Sequence, residues 1–137
     1  MNIVYDTFFN HLLNGDIDFD TDTIKVALFQ NTYNPLTTSE SWADISGFEI
    51  TPVDGYVAGG QDLGIVSVTD KKITVSNAVW TTTETITASY AVVYKDETSD
   101  GEKYLICCID FADNRSITAG DFTIQFNTTG LLNFEVG

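Results

Sequence analysis

Tyr90-Ala-Val-Val-Tyr94, the polar run Asp96-Glu-Thr-Ser-Asp-Gly-Glu-Lys103 and Tyr104-Leu-Ile-Cys-Cys-Ile-Asp-Phe111 decide the fold class. Two β-branched and aromatic runs joined by a charged loop containing glycine predict an antiparallel hairpin. On its N-terminal side, Ile65-Val-Ser-Val-Thr69 and Ile73-Thr-Val-Ser76 flank Asp70-Lys-Lys72 and predict a second hairpin. Ala78-Val-Trp80 continues the sheet, and Thr81-Thr-Thr-Glu-Thr85 reads as a Thr-rich connection. On its C-terminal side, Phe122–Phe126 and Leu131–Val136 are expected to pair across Asn127-Thr-Thr-Gly130. Ile24-Lys-Val-Ala-Leu-Phe29 adds a strand buried on both faces at its end. Seven to eight short strands with frequent turns predict an all-β fold, an antiparallel β-sandwich or barrel. With no repeat and no linker in 137 residues, one domain spanning 1–137 is expected.

The sheet is preceded by a different pattern. Tyr5, Phe8, Phe9, Leu12 and Leu13 make the apolar stripe of a short amphipathic N-terminal α-helix over residues 5–14. Asn2 or Asp6 can cap its start, and Gly15 can end it. Residues 31–62 form a long loop, with one helical turn at Ser41-Trp-Ala-Asp-Ile-Ser46, a short strand at Phe48-Glu-Ile50 and a turn at Pro52-Val-Asp-Gly55. Gly59-Gly60 suggests a bulge or a close approach of two backbones. Long loops in compact domains are commonly functional. Tyr33, Asn34, Pro35, Leu36 and Trp42 are therefore the candidate partner-contact residues, with Trp42 either a hot spot or a core residue.

Six Lys+Arg against twenty Asp+Glu leave a formal charge of −14. Phosphate neutralisation needs clustered cations, and the basic residues here are scattered, which argues against nucleic acid and against an anionic membrane as partners. No basic segment followed by an apolar run opens the chain, and no apolar stretch approaches the ~18 residues of a membrane span. The adjacent Cys107 and Cys108 would point to opposite faces of a strand and are read as half-buried thiols made in a reducing cytoplasm.

No pattern demands catalysis or a cofactor. Asp16, Asp18, Asp20 and Asp22 alternate as in a calcium loop. The glycine and glutamate of an EF-hand fall on Thr21 and Ala27, or on Thr23 and Phe29, so that match fails. An acidic turn with its carboxylates on the solvent side is expected instead. His11, the single histidine, has no nucleophile motif around it. Trp42, Tyr56, Trp80, Tyr90 and Tyr94 can be read as a sugar-stacking platform or as core. Gly59-Gly60 lacks the Lys and Ser/Thr of a phosphate loop.

Several segments resemble, in order and spacing, a family of small virion structural proteins of tailed bacteriophages. They are Asn14 to Leu28 after the opening helix, Asp44-Ile-Ser-Gly-Phe-Glu49, Gly55 to Gly60, Tyr90 to Asp96, Ile109-Asp-Phe111 and Gly120 to Gln125. The resemblance implies a β-rich, non-enzymatic virion protein with no cofactor and no catalytic residues to carry over. It implies a capsid cement or decoration subunit that binds and stabilises the assembled head. The alternative is a tail or head-fibre component with a receptor- or carbohydrate-binding role. The implied partners are the major capsid protein or other virion proteins, with self-association as a homo-oligomer, a trimer being favoured. The implied location is the outer surface of the head, after synthesis in the host cytoplasm. A strongly acidic surface suits such a place, facing basic patches of a shell protein and away from packaged DNA.

Overall fold

A computed structural model of the chain describes residues 2–69, 72–126 and 131–133. In chain order the strands are β1 (Ile3–Val4), β2 (Ile24–Phe29), β3 (Gln61–Asp62), β4 (Ile65–Thr69), β5 (Lys72–Val75), β6 (Ala78–Lys95), β7 (Leu105–Ile124) and β8 (Leu132–Asn133). Two short helices, α1 (Phe8–Leu13) and α2 (Trp42–Ile45), lie in the first half. All strand pairs are antiparallel, in a five-stranded sheet β1-β7-β6-β2-β3 and a three-stranded sheet β4-β5-β8. The larger sheet ends in separate edge strands rather than closing on itself, so of the two expected architectures the structure adopts the sandwich.

The hairpin of β6 and β7 is the spine of the molecule. It starts as expected at Tyr94 opposite Leu105 and Val93 opposite Cys107, with Ile106 as a bulge between them. It then runs on through residues whose strand character the sequence conceals. Thr81–Thr85, expected as a connection, belongs to β6 and pairs with β7 from Asp121 to Thr118. The reason is that the inward positions here are Thr82, Ile86 and Ala88, all buried: a hydroxyl and a methyl flank the one large apolar side chain, and a bulge between Thr82 and Thr85 breaks the alternation. Outward-facing Thr81, Thr85 and Thr87 bond across the ladder to Asp121, Thr118 and Ser116.

Where β2, β6 and β7 run side by side, both faces of the sheet are covered. Period-2 alternation sends Val26, Leu28, Ala91 and Val93 to one core, and Ala27, Phe29, Val92 and Tyr94 to another. The first core takes Phe8 of α1, Ile17 and Phe19 of the following turn, Trp80 and Phe122 of the long hairpin, and Ile73 of the small sheet. The second is closed by Tyr5, Tyr33, Trp42 and Ile45, which come from the N-terminal segment and the long loop. Cys107 enters the first and Cys108 the second, both free and more deeply buried than the half-burial expected.

Three local expectations are corrected. The helix begins at Phe8, after Thr7, and not at residue 5. Tyr5 instead follows the edge strand β1 and faces the second core, a contact that helical periodicity cannot anticipate. Phe48-Glu-Ile50 is not a strand: Ser46–Phe48 forms a turn of 3₁₀ helix, and Glu49 makes an isolated bridge to Phe29. Among the described residues the expected last hairpin is not seen: β8 pairs with β5, Leu132 opposite Ile73, and β7 from Thr118 to Ile124 pairs with β6. Its turn, 127–130, and the end of its second strand, 134–136, lie outside the described residues, as do residues 70 and 71 of the earlier hairpin.

Candidate functional site

Residues of β2, β6 and the long loop converge on one hydrogen-bond network. The Glu49 carboxylate accepts from the Tyr56 hydroxyl and from the Gly59 backbone N–H, each at 2.7 Å. The Tyr56 oxygen in turn accepts from the Leu28 N–H at 2.9 Å, and the Tyr94 hydroxyl donates to the Gly59 carbonyl at 2.6 Å. Gly60 packs so tightly on β2 that a Cβ there would stand 1.9 Å from the Val26 carbonyl oxygen. The close backbone approach expected at Gly59-Gly60 is thus real, and it falls on β2. Asp44 begins the sequence of supports, accepting from the N–H groups of Glu40 and Ser41 at 2.9 and 3.2 Å to cap α2. Burial raises the Glu49 carboxyl above its ordinary value, and the bonds from Tyr56 and Gly59 oppose that rise. The arrangement clamps the long loop onto the sheet. It is a scaffold made of polar groups.

The candidate contact residues separate into two kinds. Tyr33 and Trp42 are buried within the chain: Tyr33 against Phe29, Phe48 and Tyr90, Trp42 against Phe29 and Tyr94. Tyr33 also shares a 2.8 Å hydroxyl contact with Tyr5, and burial pushes its own phenol up to about 12. Asn34 and Leu36 are exposed, Leu36 at 53%, and Pro35 lies between the two classes. The buried pair anchors the loop, and Asn34 and Leu36 are what it presents. Of the aromatic set, Trp42, Tyr56, Trp80 and Tyr94 are core residues, which removes the stacking platform and leaves only Tyr90 partly accessible.

The acidic turn keeps its expected alternation through Asp20 without being a strand, while Asp22 is half-buried instead of facing solvent. Ile17 and Phe19 point inward, while Asp16, Asp18 and Asp20 are exposed. Its carboxylates are engaged in the turn itself: Asp18 accepts from Asp20 N–H, and Asp22 from Asp18 N–H. The Lys95 ammonium, at the end of β6, donates to the Asp16 carbonyl at 2.7 Å and lies 3.8 Å from Asp22, tying the turn to the sheet. His11 stacks on Tyr104 with ring centres 3.6 Å apart and meets the Asp16 carboxylate at 3.0 Å. Among the described residues, no group of three or more His, Cys, Asp or Glu is placed to hold a metal ion. Burial pushes both cysteine thiols up to about 12, far from the range of a reactive thiolate.

In comparisons with known proteins, no family model, no curated protein and no solved structure matches the chain.

Proposed function

We propose that this protein is a non-enzymatic structural subunit of a tailed-bacteriophage particle, a capsid cement or decoration protein acting on the outer surface of the head. The observation that carries the reading is the ordered set of resembling segments, four of which meet in the network of Leu28, Glu49, Tyr56, Gly59 and Tyr94. A polar network that holds the long loop on the sheet suits a rigid scaffold whose work is attachment. The charge of −14 supports an outward-facing position and complementarity to basic patches of the major capsid protein. Many equivalent copies around a shell would convert a modest single contact into firm attachment through avidity.

Localisation on purified particles tests this directly, by antibody labelling in electron microscopy with copy number from a particle gel. Dense labelling over the whole head in many copies is the expected result. Sparse labelling confined to the tail or to fibre tips would replace it with the receptor-binding role.

A further inference from the structure

We propose that the free edge of β7, from Arg115 to Ile124, pairs antiparallel with the same edge of a second copy of this chain. The inference stands whatever the protein attaches to. It starts from an asymmetry between the two sides of the long hairpin. β2 covers β6 only from Tyr90 to Lys95, but the remaining edge of β6 is blocked by other means. The Asp54 carboxylate accepts from both the backbone N–H and the hydroxyl of Thr83, the Gln61 amide donates to the Val79 carbonyl, and Gly55 sits against the Thr81 carbonyl. On the other side, β1 covers β7 only at Cys107 and Cys108. From Arg115 to Ile124 the outer edge of β7 has no backbone partner among the described residues.

A row of unpaired N–H and C=O groups is a template for another strand. Beside it runs a groove of about 370 Å³ whose apolar lining includes Ile109, Phe111, Ile117, Phe122 and Ile124. Main-chain pairing would therefore be accompanied by apolar burial.

Charge selects a second copy as the occupant. The chain carries −14 overall, so most contacts between copies set acid against acid. The stretch from Arg115 to Ile124 holds one arginine and one aspartate and is formally neutral. Its faces are also self-complementary. Ile117, Gly120, Phe122 and Ile124 oppose the buried Ile86, Thr82, Trp80 and Ala78 of β6 and so mark the inner face, and Arg115, itself exposed, stands in line with them opposite Ala88. Ser116, Thr118, Asp121 and Thr123 are exposed and mark the outer face. Ala119, at φ 50°, is the irregular residue where the alternation slips by one. A two-fold axis between Thr118 and Ala119 sets this irregularity against itself and keeps the faces matched. Ile117 then lies opposite Gly120 of the other copy, Arg115 opposite Phe122, and Ser116 opposite Asp121. No two acids face each other across the axis.

The test is sedimentation equilibrium of the full chain over a wide concentration range, with three substitutions at exposed positions. The wild type should associate reversibly to twice the monomer mass. Ser116→Asp places a carboxylate opposite Asp121 and should weaken association by at least about tenfold, whereas Ser116→Lys should leave it equal or tighter. Thr118→Lys brings two lysines together at the axis and should weaken it by a similar factor. Thermal melts at a concentration where every variant is monomeric should agree between the two changes at Ser116, which lose the same bond to Thr87, separating loss of pairing from loss of fold. A wild type that stays monomeric, or that reaches three times the monomer mass, overturns the proposal. So does equal weakening by both changes at Ser116, or indifference to all three.

Discussion

Gly60 and Gly15 both adopt left-handed backbone, at φ 80° and 83°, but their surroundings differ. A methyl group at Gly60 would collide with the Val26 carbonyl, while one at Gly15 would meet nothing within 4 Å. Gly15→Ala should therefore cost only the conformational penalty, about 1 kcal/mol. Gly60→Ala adds a backbone clash to it and should cost at least ~3 kcal/mol in urea denaturation; equal losses would place the close approach elsewhere. Glu49 supplies a prediction in pH. Its carboxyl is raised above 4.5, chiefly by burial, so the folded state holds that proton more tightly than the unfolded chain. The stability linked to it is fully present below the ordinary value and is lost as pH rises through the raised one. Glu49→Gln should remove that loss, so the variant gains on the wild type as pH climbs above about 4.5, on top of a constant offset from altered bonds to Tyr56 and Gly59. Parallel stability profiles from pH 4 to pH 8 would contradict the assignment.

Among the elements, α1 shows how much of a pattern survives folding. Its apolar stripe announced a helix that stops just before Gly15, yet only Phe8 of its residues is fully buried, and Phe9 and Leu13 are exposed at 45% and 82%. Phe8→Ser should cost about 3 kcal/mol or more, the usual loss for an emptied core aromatic site. Phe9→Ser should cost about 1 kcal/mol or less; calorimetric melting of the two variants checks the ranking. The β2 strand and the start of the long hairpin were legible because β-branched and aromatic side chains fill both cores there. The Thr-rich half of β6 was not, since Thr82 takes an inward position there, a bulge interrupts the alternation before Ile86, and its pairing partner lies more than thirty residues on along the chain. The same holds for Tyr5, whose place depends on Tyr33 in a distant loop.

For the molecule as a whole, the imbalance of acids over bases is the dominant electrostatic fact. Self-repulsion at −14 should make the fold salt-sensitive. Raising ionic strength from about 10 mM to about 150 mM shortens the screening length from ~30 Å to ~8 Å and should raise the melting temperature; an unchanged or lower value would mean that local pairs such as those of Lys95 outweigh the net repulsion. Composition, turn spacing and the period of the apolar residues determined the all-β class, the short opening helix, the turn in which Asp16, Asp18 and Asp20 point to solvent and the opposite facing of the two cysteines, because each depends on neighbours a few residues apart. The choice of a sandwich over a barrel, the pairing of β8 with β5, the burial of Tyr33 and Trp42 and the clamp on Glu49 were decided only by the tertiary structure. These rest on contacts between segments distant in the chain, where several partners satisfy the same local pattern and only simultaneous packing of both cores selects one.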